Sequence, residues 1–174
     1  MKASAAVLLL CSMLSCGAGF AAAVSEPRPV QLAPLSDTRA SVAFVGGGQG
    51  SKVLSLAEIE ALGLYRVRTA TFWPGDDGVY EGPLLSDVLQ AAGLADAKAI
   101  RVLALDGFSQ VLPRADWTRW PLLLATRRDG VAMSARNKGP FRIIYPRDMS
   151  TSLQDPTYRL RWVWLIRSIE AVNE

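Results

Sequence analysis

The chain has 174 residues, of which 50% are hydrophobic, and it carries a net charge of +3 with no histidine. Its two cysteines, Cys11 and Cys16, lie in an apolar N-terminal segment. The rest of the chain therefore lacks the usual ligands of zinc, copper, haem and iron–sulfur clusters, and it cannot build a disulfide framework. A hard-cation site made of carboxylates is the metal option that remains.

The N-terminus has the layout of a secretory signal peptide. Lys2 precedes an apolar run, and small residues follow it up to Ala23. This run is too short for a lasting transmembrane span, and no later segment is apolar enough to be predicted as one. We expect residues 1–23 to be removed after Ala23, which places the protein in the periplasm or outside the cell; a lipoprotein acylated at Cys16 is the alternative. Residues 24–38 predict an extended N-terminal arm before one domain over residues 39–174.

The domain is predicted to combine many short strands with two helices. Ser55 and Glu58 form a capping box at the start of the first helix, and Gly63 marks its end. The second helix is predicted to begin at Pro83 and to end at Gly93. In chain order, we expect a strand at 41–45, a helix at 55–62, a strand at 64–72, a helix at 83–93, strands at 99–105, 109–112 and 121–126, a tight turn at 129–130, strands at 131–133 and 141–145, a turn of helix around Trp162 and a strand at 168–172. This mixture indicates an α+β fold.

Two glycine-containing segments are predicted to be turns. The run at 46–50 is not a phosphate-binding loop, because the Lys-Ser/Thr pair of that motif is missing after its last glycine. The loop at 74–78 contains Asp76 and Asp77, which we expect to be solvated.

Basic residues are concentrated in the second half of the chain. Residues 127–167 hold nine basic and three acidic side chains (9 − 3 = +6), whereas residues 24–126 hold nine basic and eleven acidic ones (9 − 11 = −2). This asymmetry, with arginine dominant, favours an anionic ligand or an acidic partner surface; a solvated basic face is the alternative. Arg142 alternates with Phe141 and Ile143, so it is expected to face away from the core. No nucleic-acid-binding motif is present, and we expect no nucleic-acid partner.

Four short sequence blocks follow one another between residues 65 and 169. They are Glu81-Gly82-Pro83-Leu84 with Asp87-Val88-Leu89 and Ala91-Ala92-Gly93; Asp106-Gly107-Phe108-Ser109 with Leu112-Pro113; Leu124-Ala125, Asp129-Gly130, Lys138-Gly139-Pro140, Arg142 and Tyr145-Pro146; and Arg161-Trp162-Val163 with Ile169-Glu170. In this order they resemble sulfite-oxidase-like molybdopterin-binding oxidoreductase domains. The resemblance implies the α+β fold of that family, with mixed short strands and two or three helices.

Two departures from the family pattern concern the metal. Catalytic members carry a molybdenum-ligating cysteine on the strand before the first block, whereas the matching strand here contains Thr69, Ala70 and Thr71. None of these side chains supplies the thiolate that such a metal needs, so we expect no metal. Lys138 also stands where sulfite-oxidising members often show histidine. The spacing Thr69-x-Thr71-x-Trp73, the run from Lys138-Gly139-Pro140 to Tyr145-Pro146 and Arg161-x-x-Trp164 resemble the small standalone periplasmic branch of the family. This resemblance implies binding of a free pterin, as in some members of that branch.

The resemblance implies a pterin site, and eight residues are candidates for it. A pterin needs an aromatic face for stacking and polar groups at its edge. The candidates are Trp73 and Tyr80 as aromatic walls, Asp106 as an acceptor for the ring edge, Arg136, Lys138 and Gly139 in the loop before the strand at 141–145, Tyr145 as a hydroxyl donor, and Arg161 near the phosphate. Packing in the core is the alternative for Trp73, Tyr80 and Tyr145, and turn formation is the alternative for Asp106. Trp162 and Trp164 are predicted to belong to the core or to a partner surface.

Three functions are compatible with these observations. The first is a non-catalytic periplasmic module that binds a free or molybdopterin-like pterin and reports it to a membrane sensor. The resemblance implies the sensor, since a pterin-responsive member partners a cyclic-di-GMP enzyme; a kinase is another candidate partner. The second is a molybdopterin-dependent oxidoreductase subunit, and the third is an interaction module whose pocket is vestigial.

Overall fold

Strands dominate the chain and a few short helices connect them. The computed structural model describes residues 26–37, 39–46 and 50–172. The helices in these ranges are α1 (Leu56–Glu60), α2 (Leu85–Ala91) and α3 (Arg114–Arg119). The strands are β1 (Arg28–Val30), β2 (Ser41–Val45), β3 (Ser51–Ser55), β4 (Leu64–Thr69), β5 (Gly78–Gly82), β6 (Ala99–Ala104), β7 (Ser109–Pro113), β8 (Leu123–Ala125), β9 (Arg127–Arg128), β10 (Val131–Ala132), β11 (Arg142–Ile144) and β12 (Ile166–Val172). This composition confirms the predicted α+β class. The predicted signal peptide with Ala23 and both cysteines, and the centre of the glycine-rich turn at 47–49, lie outside the described residues.

Most of the strands belong to two larger sheets. One has the order β1-β4-β5-β9-β10, and the other has the order β3-β2-β12-β6-β7. In the second sheet, β12 runs parallel to β2 and antiparallel to β6. Strands β8 and β11 form a separate antiparallel pair. Part of the predicted extended arm is a strand, because Arg28–Val30 pairs with the start of β4.

The core lies between the second sheet and the helices and strands that cover it. Val42, Phe44 and Ile169 point into it from the second sheet, and Leu85 and Leu89 point into it from α2; all five are at most 1% exposed. No helix in the described part of the chain is long and apolar enough to cross a membrane.

Several predicted elements are confirmed at their termini. The Ser55 hydroxyl accepts a hydrogen bond from the Glu58 amide, and a Glu58 carboxylate oxygen accepts one from the Ser55 amide at 2.8 Å. This capping box begins α1 as expected. Asp129 and Gly130 have φ angles of 51° and 80° and connect β9 to β10 in a tight turn.

Other predicted boundaries are wrong. Helix α2 begins at Leu85 rather than at Pro83, because the Pro83 carbonyl accepts a hydrogen bond from the Leu124 amide and this segment pairs with β8. Helix α3 was not predicted. The segment before β12 forms a 3₁₀-helix at Pro156–Arg161, close to the turn of helix expected around Trp162.

Candidate functional site

Four aromatic side chains meet where the loop after β4 approaches the segment before β12. The ring centre of Trp73 lies 5.0 Å from that of Trp164 and 6.1 Å from that of Trp162. Phe72 packs edge-on against both Trp73 and Trp162. Trp162 is buried, whereas Trp73 and Trp164 are partly exposed. The cluster therefore has a buried base and an accessible edge.

A cleft of about 330 Å³ opens on this cluster, within the size range of small-molecule sites. Its walls are Trp73, Trp162, Trp164 and Val163, and its rim is formed by Asp106, Phe108, Arg159 and Leu160. The cleft thus combines flat aromatic surface with a carboxylate and a guanidinium.

Arg142 and Asp76 form a buried ion pair beside the aromatic cluster. An Arg142 Nη atom lies 2.6 Å from a carboxylate oxygen of Asp76, and the guanidinium also donates to the Tyr80 hydroxyl at 3.1 Å. The Arg142 side chain is 1% exposed and lies between 5.4 and 5.8 Å from the ring centres of Trp73, Tyr80, Trp162 and Trp164. Its position is fixed by charge pairing and by aromatic contacts together.

Two predictions fail here. Arg142 does not face away from the core, and Asp76 is not a solvated loop residue. All three residues of β11 are buried, so the alternation of side chains along this strand leaves no solvent face for Arg142. Asp76 is buried because its carboxylate pairs with the buried guanidinium of Arg142.

Lys138 adds a second cation to the same carboxylate. Its Nζ atom lies 2.9 Å from Asp76, 5.1 Å from the ring centre of Trp73 and 5.0 Å from that of Trp164. The Lys138 backbone is left-handed, with φ of 65°. Burial opposes ionisation of Asp76, but the hydrogen bonds from Arg142 and Lys138 outweigh it and lower the pKa of this carboxyl.

The structure brings together four of the eight candidate residues. Trp73 and Asp106 line the cleft, Lys138 contacts Trp73, and Tyr80 lies beneath the cluster as a partner of Arg142. Tyr80 is fully buried and donates its hydroxyl hydrogen to the Asp76 carbonyl, so it forms no cleft wall. Asp106 also accepts a hydrogen bond from the Phe108 amide at 3.0 Å, as a turn residue does.

Two further candidates, Arg136 and Gly139, flank Lys138 without lining the cleft. Arg136 is exposed on the 3₁₀ turn Ala135–Asn137. The close backbone approach that Gly139 permits is to Met133, because a Cβ added to Gly139 would lie 2.2 Å from the Met133 carbonyl oxygen. Both residues belong to the loop that holds Lys138 in place.

The last two candidates, Tyr145 and Arg161, share a different partner. The Tyr145 hydroxyl donates to Asp116 at 2.7 Å, and Arg161 lies 2.9 Å from both oxygens of the same carboxylate. Burial, and then the neighbouring Asp116 charge, raise the pKa of Tyr145 well above its ordinary value. Tyr145 also stacks on Trp162, with 6.0 Å between ring centres. This hydrogen-bonded network therefore packs against Trp162, on the side away from the cleft.

Sequence reasoning missed Arg159, Leu160 and Phe108 on the rim, and it assigned no ligand role to Trp164. The sequence does contain a signal for the helical turn that carries Arg159 and Leu160. Asp155 precedes Pro156, and the Asp155 carboxylate accepts from the Thr157 amide at 2.8 Å, which is the arrangement that begins a helical turn.

The segment that would carry a metal ligand, the end of β4 at Thr69 and the two residues after it, does not fit molybdenum. The Thr69 hydroxyl donates to the Ala70 carbonyl at 3.1 Å, and the Thr71 hydroxyl donates to the Trp73 carbonyl at 3.2 Å. No group of three or more His, Cys, Asp or Glu residues in the described ranges could hold a metal ion. The lining of the cleft, with the indoles of Trp73 and Trp164 beside the Asp106 carboxylate and the Arg159 guanidinium, is of the kind that binds a flat heterocycle with a polar edge.

Comparisons with known proteins show a distant likeness of fold. No family model matches the chain, and no curated protein matches it. Among solved structures, the chain is similar to the sulfane dehydrogenase SoxCD from Paracoccus pantotrophus, with a TM-score of 0.59 and 15% identity over 82% of this chain. The match covers 40% of that protein's chain. At this identity the likeness shows the fold alone, shared with part of an oxidoreductase.

Proposed function

We propose that this protein is a non-catalytic binding module for a flat heterocycle of the pterin class. The cleft between Trp73 and Trp164 carries the proposal, because it combines aromatic walls with hydrogen-bonding groups at its rim. Stacking on an indole holds a planar ring, and the polar groups select its edge.

Each polar group of the cleft has a place in this binding mode. Asp106 uses one carboxylate oxygen for the Phe108 amide and has capacity to accept from the amino group and ring N–H of a pterin. The Arg159 guanidinium on the rim is a donor for ring acceptors. These groups recognise a heterocycle edge and supply no reaction.

The chemistry of the remaining groups also favours binding over catalysis. Asp76 is held ionised by two cations, and the raised pKa of Tyr145 leaves it a poor proton donor. If molybdopterin were bound, its metal would supply redox chemistry, but Thr69 and Thr71 offer it no thiolate.

An oxidoreductase subunit is the second candidate function, because the fold is shared with part of a sulfane dehydrogenase. It requires a metal centre held without protein thiolate, through contacts to the pterin alone. The third candidate is an interaction module with a vestigial pocket, in which the cleft binds no ligand.

The proposed role is to report the ligand to a membrane signalling protein in the periplasm, such as a cyclic-di-GMP enzyme or a kinase. Phe108 and Leu160 on the rim are 41% and 60% exposed, and Leu105 nearby is 62% exposed. Exposed apolar residues beside a ligand site suit a partner that contacts the rim of the occupied cleft.

The test is to purify the protein from its native source and to measure metal content and released pterin together. We expect pterin fluorescence after denaturation and no stoichiometric molybdenum. Trp73→Ala should lose the pterin, whereas Trp120→Ala, at the end of α3 and outside the cleft, should retain it. Stoichiometric molybdenum would establish the oxidoreductase instead, and a protein with neither group would support the vestigial pocket.

A further inference from the structure

The outer face of the sheet β3-β2-β12-β6-β7 is exposed and largely apolar. A sheet with one face in water typically alternates apolar inward residues with polar outward ones. In this sheet, the outward positions include six apolar side chains: Ala43, Val45, Val53, Ala99, Leu103 and Val111. Val45, Val53 and Val111 are 42%, 61% and 39% exposed. An exposed apolar sheet face of this kind indicates a surface that packs against another protein.

Two opposite charges stand at the centre of this outer face. Arg101 on β6 is exposed and lies directly opposite Glu170 on β12, which is partly exposed. This register allows the two side chains to interact across the strands. Neither of them, however, forms an ion pair with a residue in the described part of the chain. Both charges are therefore available to a partner surface.

The row of residues that contains these charges is complementary to itself. The strand register joins Val45 to Glu170, Glu170 to Arg101, and Arg101 to Val111. The row thus has a valine at each end, with an acid and a base at its centre. A two-fold axis that runs parallel to the strands, between β12 and β6, sets Arg101 of one copy over Glu170 of a second copy. The same axis sets Val45 over Val111, so the face meets the requirement of an isologous interface.

We infer that this face is an interface between two copies of the chain, stacked sheet on sheet about that two-fold axis. Stacked sheets keep their strand directions within about 30° of each other, which preserves the register that the row requires. The valines leave water on association, and the two symmetric ion pairs fix the alignment of the copies. The row contains no residue that lines the cleft, so the dimer does not depend on the proposed function.

Sedimentation of the purified full chain at several concentrations tests the oligomeric state. We expect a monomer–dimer equilibrium that shifts towards the dimer as the protein concentration rises. Arg101→Glu and Glu170→Arg should each weaken dimerisation at least about tenfold, because each sets like charges against each other across the two-fold axis. Arg68→Glu, at an exposed position on β4 in the other large sheet, is the matched control and should leave dimerisation unchanged.

Mixing the two charge-reversal variants tests the symmetry of the interface. A dimer of one Arg101→Glu chain and one Glu170→Arg chain again has opposite charges at both contacts. We therefore expect the mixture to dimerise about as tightly as the unaltered protein, although each variant alone dimerises weakly. Recovery in the mixture also shows that both variants are folded.

A third variant tests the apolar contact. Val111→Asp places a charge where Val111 faces Val45 of the second copy, and it should weaken dimerisation by a similar factor. Val111 is 39% exposed, so this variant keeps the test valid if a charge-reversal variant fails to fold. A protein that sediments as a monomer at every concentration would overturn the inference and leave the face to a different protein. A dimer that survives Arg101→Glu, or a mixture of folded variants that stays monomeric, would overturn it as well.

Discussion

At the scale of single residues, Asp76 is the side chain on which the candidate site depends most. It is 6% exposed and forms ion pairs with Arg142, Lys138 and Arg128. We expect Asp76→Asn to lower the free energy of unfolding by about 3–5 kcal/mol, because it leaves the buried guanidinium of Arg142 without a counter-charge. Urea unfolding followed by tryptophan fluorescence measures this loss. The exposed Asp106→Asn is the control and should change stability by no more than about 0.5 kcal/mol.

Asp76 should also impose a pH dependence on stability. The pKa of Asp76 is lower in the folded protein than in the unfolded chain, where the pKa of an aspartate is about 3.9. The unfolded state therefore takes up the proton first as pH falls. The stabilisation is fully present above the unfolded pKa and is lost as pH falls through the folded pKa. Between pH 6 and pH 3, the free energy of unfolding should fall less for Asp76→Asn than for the unaltered protein. An equal fall in both proteins would show that Asp76 is not the source of this pH dependence.

Residue patterns could not reveal the Asp76–Arg142 pair, because the two side chains are 66 positions apart in the chain. Each was interpreted from its neighbours alone, as a loop aspartate and as an outward strand arginine. Trp73, by contrast, lies in the wall of the cleft, although the strand predicted at 64–72 ends at Thr69 and Trp73 belongs to the loop after it.

At the scale of elements, the loop at 135–140 sets the position of Lys138. Gly139 lies against the Met133 backbone, where an added Cβ would lie 2.2 Å from the carbonyl oxygen and 2.4 Å from the Met133 Cβ. We expect Gly139→Ala to cost about 1–3 kcal/mol, since neither backbone nor buried side chain can move aside freely. It should also weaken ligand binding by displacing Lys138. Ser134→Ala, exposed and without a capping hydrogen bond, is the control, and an equally stable Gly139→Ala would show that the loop can shift.

Elements defined by local signals were predicted well, and those defined by distant contacts were not. The capping box of α1 and the turn at Asp129-Gly130 depend on neighbouring residues, and both are confirmed. The start of α2 was wrong because Pro83 pairs with β8, which lies far along the chain. The order of the sheets is likewise non-local, since β12 completes a sheet between β2 and β6.

At the scale of the whole molecule, the cleft joins two separately stabilised regions. Asp76 and Arg142 hold the loop after β4 against β11, while Asp116 holds Tyr145 and Arg161 beneath the segment that carries Trp162. A ligand between Trp73 and Trp164 therefore contacts both regions and binds only when both are folded. Ligand binding should for this reason appear as stabilisation of the entire domain.

Thermal unfolding measures that coupling directly. A ligand that binds only the folded state contributes about 2.7 kcal/mol at one hundred times its Kd. For a chain of this size, each kcal/mol raises the melting temperature by roughly 2–4 °C, so a pterin at that concentration should raise Tm by roughly 5–10 °C. Trp73→Ala should abolish the shift, because it removes the stacking wall, whereas Trp120→Ala should lower Tm in the absence of ligand and still show the shift. A full shift in Trp73→Ala would place the ligand elsewhere on the molecule, because stabilisation without this indole cannot arise from the cleft between Trp73 and Trp164.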